Sequence, residues 1–351
     1  MSASGCGTRV RRRPPWVLAV LTGMEACASM RASEVLPAPT RRGARRRLAA
    51  FGAALLFAAG CAVGSNTEPG TPSLVEEITT RSAPPPPPPE LPRGGRQLLP
   101  TFRLVGFSGE PNAAALGRLT GDLTAASAEL ELQAAAYAGQ RPVLPVFELI
   151  ATVVQADPGS DGRYRTRASD ETILRYLQAA REARGILLLN IQPGLGDFLP
   201  EVAAYERWLA EPDVGVALDP EWAIDPGEVP GEVYGSTTGA ELDAVARYLA
   251  ELVREGDLPQ KAMVYHQVAP SVVADEQALG AYPEVALVKS VDGIGDPGSK
   301  IETWTRLMAG KPPQVWPGFK LFYEEDTRSG PLMTPSEVLA LTPTPDYVLY
   351  E

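Results

Sequence analysis

Over roughly its last 250 residues the chain repeats one order eight times, a short apolar run followed by a stretch of helical periodicity or polar loop. The runs are Phe102 to Phe107, Val143 to Val154, Ile186 to Ile191, Val214 to Leu218, Ala262 to Val268, Val285 to Val291, Phe319 to Tyr323 and Tyr347 to Tyr350. Most are unbroken rather than alternating, as expected of parallel strands covered on both faces. The segments between them carry helix signals. Thr238-Gly239-Ala240-Glu241 reads as a capping box before Leu242, Val245, Leu249 and Leu252, with Gly256 as the stop, and Thr334-Pro335-Ser336-Glu337 repeats the box with proline at the first helical position. Asp170 to Arg184 and Asn112 to Tyr137 are the other long periodic segments. A β-then-α order implies a parallel sheet with right-handed crossovers. An open doubly wound sheet is the competing arrangement. Eight near-evenly spaced strands, with no glycine-rich phosphate loop after the first, favour an α/β fold of the (β/α)8 TIM-barrel type over residues 100–351.

The chain ahead of that domain has a different composition. Residues 1–60 hold 10 of the 32 Lys and Arg, all arginine, and 2 of the 43 acids, which leaves residues 61–351 with 41 acids to 22 bases. A body this acidic argues against nucleic acid or an anionic membrane surface as the main partner. Arg41, Arg42, Arg45, Arg46 and Arg47 precede the uncharged apolar segment Leu48 to Ala59, followed by Gly60-Cys61. This is the order of an export signal, and the apolar part is too short for a permanent membrane span. Residues 1–60 are therefore expected to be a leader and signal segment, with Met30 an alternative start and Arg46-Arg47 compatible with twin-arginine export. The three cysteines are Cys6, Cys27 and Cys61, so no disulfide framework is expected in the mature domain. Residues 61–99 read as a disordered proline-rich tether, with Pro84 to Pro89 an uninterrupted polyproline stretch.

In a parallel barrel, functional side chains come from the C-terminal ends of the strands and the loops beyond. There Asp219-Pro220-Glu221-Trp222 follows the apolar run Val214 to Leu218 and sets two carboxylates two residues apart, on one side of an extended chain. Two partly buried carboxylates this close cannot ionise independently, so one is pushed towards its protonated form and can serve as a general acid. Glu221 and Asp219 are the candidate catalytic pair. Glu148, Asn190, Gln192, Trp222, His266, Gln267, Asp292, Tyr323 and Glu325 occupy other strand ends and are expected to bind substrate. Carboxylates and amides beside aromatic rings suit a sugar, whose hydroxyls take bidentate acceptors and whose faces take rings. Two long loops, Asp157 to Ser169 and Trp222 to Ser236, are expected to border the cleft. His266 is the only histidine, which argues against a zinc site, and no cofactor or metal is expected. The remaining metal option is a carboxylate site for calcium or magnesium built from Glu148, Asp219, Glu221 and Asp292.

Two resemblances rest on these residues. Phe57-Ala58-Ala59-Gly60-Cys61 resembles a bacterial lipobox, which implies lipid on Cys61 and an extracytoplasmic protein anchored to the cell membrane. With its Ala-, Arg- and Pro-rich composition the whole chain resembles secreted lipoproteins of high-GC actinobacteria, a resemblance that brings no activity with it. The Asp219-Pro220-Glu221 arrangement resembles the strand-four Asp-x-Glu of barrel glycoside hydrolases of the chitinase and lysozyme-like groups. The chitinase-like resemblance implies that Glu221 protonates the glycosidic oxygen while Asp219 orients the substrate's acetamido group. This chain carries Val216-Ala217-Leu218 where those enzymes carry further aspartates. The expected function is thus a membrane-tethered, monomeric glycoside hydrolase acting on a polysaccharide of the envelope or surroundings. A non-catalytic lipoprotein that binds carbohydrate or another envelope component, and a carboxylate-metal hydrolase, are the alternatives.

Overall fold

The computed structural model describes residues 87–351. The expected leader, the expected lipidation site Cys61 and most of the expected tether lie outside the described residues. Eight parallel strands close on themselves: β1 (Arg103–Gly109), β2 (Val143–Val154), β3 (Ile186–Ile191), β4 (Val214–Leu218), β5 (Lys261–Gln267), β6 (Val285–Val291), β7 (Trp316–Leu321) and β8 (Tyr347–Tyr350). Each pairs with its sequence neighbours, and β1 pairs with both β2 and β8, with Leu104 opposite Leu144 on one side and Tyr347 on the other. The expected TIM-type barrel is the observed fold. Seven of the eight runs match their strands to within two residues at each end, six of them with identical bounds or one-residue shifts. The seventh run differs more, because the strand begins at Trp316 and has ended by Leu321, before Tyr323.

Seven helices pack around the strands: α1 (Leu123–Ala135), α2 (Asp170–Glu182), α3 (Phe198–Ala203), α4 (Glu206–Leu209), α5 (Gly239–Glu255), α6 (Pro297–Met308) and α7 (Pro335–Leu339). Both expected capping boxes form, Thr238 with Glu241 at the start of α5 and Thr334 with Glu337 at the start of α7. The long periodic segment from Asn112 does not make one helix. A single 3-10 turn at Ala114–Leu116 is followed by Gly117 at φ 120°, where a Cβ would sit 2.3 Å from the Ser108 carbonyl oxygen, and helix begins only after Asp122 caps Thr124 and Ala125. The connection from β5 to β6 uses two 3-10 turns, Pro270–Val272 and Glu276–Ala278, in place of a helix. The loop expected at Asp157 to Ser169 folds back, Arg165–Arg167 pairing antiparallel with the end of β2. Among the described residues no helix is long and apolar enough to cross a membrane.

Two apolar clusters divide along strand parity. Side chains at odd or even positions of a strand face opposite sides. Leu104, Leu144, Val146, Leu188, Ala217, Val264, Val288 and Leu349 fill the barrel interior, while Val105, Phe147, Leu189, Val216, Tyr265, Leu287 and Val348 meet the surrounding helices.

The interior is stoppered from below by residues expected to belong to the tether. Leu91, Leu98 and Leu99, together with Phe102 from the first expected strand, join the interior cluster. Gln260 Oε1 accepts from the backbone of Leu98 (2.9 Å) and Leu99 (3.2 Å), and Arg96 donates to Asp257 and to the Leu258 carbonyl. Arg93 donates to the carbonyls of Val143 (2.9 Å) and Arg184 and pairs with Glu131. The packed domain therefore reaches back to about residue 91 rather than beginning at 100, because an open barrel bottom would leave Leu104, Leu144 and Ile186 facing water. The chain enters at the end of the barrel opposite its C-terminal mouth. Leu98 is 1% exposed. Leu98→Ala is expected to lower stability by about 2–5 kcal/mol, read as a fall in the denaturant midpoint with unchanged slope.

Candidate active site

One step above the interior cluster, the inward positions change from apolar to polar. Following parity up each strand leads from Val146 to Glu148, from Leu188 to Asn190, from Ala217 to Asp219, from Val264 to His266, from Val288 to Ser290 and Asp292, and from Gly318 to Lys320. Ser108 on β1 and Tyr347 on β8 complete the ring. Every one of these side chains is buried.

His266 lies at the centre and is 0% exposed. Its Nδ1 is 2.8 Å from Asp292 Oδ2, and its Nε2 is 3.0 Å from Glu148 Oε1 and 3.8 Å from Asp219 Oδ1. Glu148 also accepts from Asn190 Nδ2 (2.8 Å) and from the Tyr347 hydroxyl (2.6 Å). Asp292 accepts from Ser290 Oγ (2.8 Å) and lies 3.4 Å from Lys320 Nζ, which pairs in turn with Glu351 at 2.8 Å. Ser108 Oγ donates to Glu351 at 3.2 Å. Gln192 is fixed by accepting from the Val154 N–H and donates to Asp219 Oδ2 at 3.2 Å.

The electrostatics follow from this crowding. Burial favours the neutral form of every acid here, but for Asp292 the charges of His266 and Lys320 outweigh it and hold the carboxyl down to about 2. Glu148 is likewise lowered, its burial overcome by His266 and its hydrogen bond. Burial alone would strip His266 of its proton, yet Asp292, Glu148 and Asp219 together keep its affinity well above that of an ordinary imidazole. Lys320 is raised in the same way, Glu351 and Asp292 overcoming its burial.

Asp219 and Glu221 behave differently. The chain leaves β4 at Asp219 and turns through a 3-10 turn, Pro220–Trp222, whose backbone is tied to the returning loop by Gly235 N–H donating to the Glu221 carbonyl at 2.8 Å. Gly235 must be glycine, since a Cβ there would meet the Ala223 carbonyl oxygen at 2.2 Å. The turn buries Glu221 to 8% exposure. Burial, reinforced by the neighbouring charges of Asp219 and Asp292, pushes its carboxyl up to about 8. Asp219 is also raised, chiefly by burial, against the opposing pull of His266 and Lys320. Glu221 Oε2, Asp219 Oδ1 and Asn190 Oδ1 are buried acceptor atoms with no protein hydrogen-bond partner. Buried polar atoms of this kind are ordinarily satisfied, so a donor-bearing ligand fits them.

Seven of the expected residues thus meet in one site: Glu148, Asn190, Gln192, Asp219, Glu221, His266 and Asp292. Trp222 is buried in the same turn as Glu221. Gln267 does not join them. It has the parity opposite to His266, points to the outside of the barrel and donates to the Ala269 carbonyl. Tyr323 also lies elsewhere, stacked on Tyr350 at 5.2 Å on the outer face of the barrel with the Arg118 guanidinium 4.3 Å above its ring. Glu325 sits past the end of β7, half-buried and paired with Arg328 at 3.4 Å. Lys320, Tyr347, Ser108 and Ser290 enter the site without having been expected. Their signal was parity, since Lys320 stands two residues after Gly318 and Ser290 two after Val288 on inward-facing positions. Among the described residues no group of three or more His, Cys, Asp and Glu side chains is arranged to hold a metal ion.

No family model matches the chain, and no curated protein matches it. Among solved structures it is similar to a GH18 chitinase from Pseudoalteromonas aurantia, at 12% identity and a TM-score of 0.34, over 70% of this chain and 92% of that one. It is also similar to a putative alpha amylase from Salmonella typhimurium, at 13% identity and a TM-score of 0.20, over 63% of this chain and 32% of that one. Likenesses this distant carry no argument about activity, and the fold rests on the strand pairings themselves.

Proposed function

We propose that the barrel is a glycoside hydrolase in which Glu221 is the general acid and Asp219 its partner, acting on a polysaccharide of the cell envelope or surroundings. The observation that carries this reading is the state of Glu221, a carboxyl at the mouth end of β4 that burial and two neighbouring acids keep protonated near neutral pH, with one oxygen unpartnered. A general acid needs a proton held at working pH that is not already committed to a protein acceptor. In the reaction the glycosidic carbon–oxygen bond breaks, the departing oxygen takes the Glu221 proton, and water supplies both the hydroxyl that ends on the sugar and the proton that restores Glu221. Asp219 Oδ1, likewise without a hydrogen-bond partner, suits a substrate N–H or O–H. The chitinase-like role for Asp219, orienting an acetamido group, is the form of this proposal that the sequence suggests.

Export and lipid attachment at Cys61 belong to the proposal as well. They are supported by the order of the N-terminal residues. A second reading has one observation in its favour. The carboxyls of the site are almost wholly buried, Glu221 at 8% being the most exposed of Glu148, Asp219, Glu221 and Asp292, which suits a barrel that binds without turnover.

Two measurements decide between them. Glu221→Gln keeps the shape and removes the proton, so the enzyme reading expects turnover on the cleaved glycan to fall by roughly 10²–10⁴-fold with an unchanged unfolding midpoint. Release of no reducing ends from peptidoglycan, chitin or other glycans by the wild-type chain, with glycan binding retained in Glu221→Gln, would establish the binding reading instead. The second measurement is the pH dependence of kcat/KM. An acid that must be protonated is competent below its pKa, so activity is expected to hold up to about pH 8 and then decline as Glu221 ionises. A profile whose alkaline limb is unchanged by substitutions around Glu221 would assign the acid elsewhere.

A further inference from the structure

His266 is the only histidine in the chain and stands at the centre of the site, the usual place for a proton shuttle. Its surroundings exclude that role. A neutral imidazole has one N–H and one bare lone pair. Whichever nitrogen were bare would face a carboxylate oxygen, at 2.8 Å for Nδ1 against Asp292 or 3.0 Å for Nε2 against Glu148. Such a contact holds only if that carboxyl carries the proton instead, and both are already supplied with donors. Glu148 Oε1 receives the Asn190 amide and its Oε2 receives the Tyr347 hydroxyl, while Asp292 Oδ1 receives Ser290 and its Oδ2 lies 3.4 Å from the Lys320 ammonium. The arrangement is satisfied by an imidazolium donating from both nitrogens to two carboxylates.

We propose that His266 is a fixed cation of this site, a positioning residue clamped between Glu148 and Asp292, whose charge makes the loss of the Glu221 proton attainable. The second part rests on the glycoside hydrolase reading. The charged and titratable groups around His266 are Glu148 from β2, Asp219 and Glu221 from the end of β4, Asp292 from β6, Lys320 from β7, and Tyr347 and Glu351 from β8 and its end. The imidazolium and the Lys320 ammonium are the two cations set among these acids, the first against Glu148 and Asp292 and the second against Asp292 and Glu351. Each proton released by the acid pair adds a further negative charge to a buried cluster. Without the imidazolium the cluster would hold its protons more tightly, and Glu221 would be too weak an acid to protonate a leaving group.

A solitary histidine makes the test direct, because the full chain labelled with 15N-histidine gives one imidazole spectrum from the folded domain. The expected result is two protonated nitrogens at pH 7, with no titration across the interval where a free imidazole loses its proton. A neutral tautomer at pH 7, or a midpoint near the ordinary value, overturns the proposal. Glu148→Gln removes one clamp, and the imidazolium signal is then expected to titrate within that interval. Asp292→Asn reads the same point if Glu148→Gln fails to fold, and an unchanged spectrum in the folded variant counts against the clamp. These readouts do not depend on turnover, so an inactive wild-type chain would sink the hydrolase reading and leave the fixed cation standing. If the chain is active, His266→Gln is expected to move the alkaline limb of kcat/KM upwards by roughly one pH unit or more. A fall in rate with the limb unmoved would make His266 a packing residue only.

Discussion

The contact between His266 and its two carboxylates is the constraint around which the upper half of the barrel is built. Burying an ion costs several kcal/mol after relaxation, and a cluster with several of them is tolerable only when every charge has partners at hydrogen-bond distance. Those partners come from β2, β3, β6, β7 and β8 and from the end of β4, so the network is complete only when the sheet has closed. A closed barrel is also what places the inward ends of six strands within reach of one imidazole. The apolar layers below, from Leu104 to Leu349, supply the favourable burial that offsets this cost. The stopper of Leu91, Leu98 and Leu99 keeps water from reaching those layers from the other end.

Within that frame the two acids of β4 differ from the rest because of what they lack. Glu148 and Asp292 sit against His266 and are held ionised, whereas Glu221 has only acids as its strongest neighbours and keeps its proton. The same degree of burial therefore yields opposite protonation states, decided by which charges lie beside each group. That division of labour is what acid catalysis needs from a constellation of carboxyls: a rigid ionised set to hold the field and one neutral member to act.

Much of this was legible in the sequence. Strands buried on both faces leave continuous apolar runs, and capping boxes at Thr238 and Thr334 mark helix starts by local chemistry that tertiary packing did not override. Glu148, Asp219 and His266 could be found at strand ends for the same reason. What could not be found was parity where a strand's bounds were misplaced. With the seventh run placed at Phe319 to Tyr323, Lys320 went unremarked and Tyr323 looked like a mouth residue. The true strand, Trp316–Leu321, puts Lys320 inward and leaves Tyr323 to stack on Tyr350 outside. Gln267 is the simpler case, since it is adjacent to His266 in a strand and must face the other way. The barrel floor was obscured by composition, because Leu91, Leu98 and Leu99 are embedded in a stretch of Pro, Gly and Arg that reads as linker.

The departure of β4 from the chitinase-like pattern then has a physical counterpart. Acids strung along one strand on the same face are separated by two residues, about 6.6–6.8 Å of rise, too far to share a hydrogen bond directly. In this chain the interior position below Asp219 is Ala217, a side chain too small to reach the middle of the barrel and unable to carry charge. The companions of Asp219 come from across the barrel instead, Gln192 at 3.2 Å and His266 at 3.8 Å, with Glu148 and Asp292 behind the imidazole. Charge that a run of aspartates would concentrate on one strand is distributed over β2, β4 and β6 and neutralised at the centre. A site built this way depends on the relative placement of several strands.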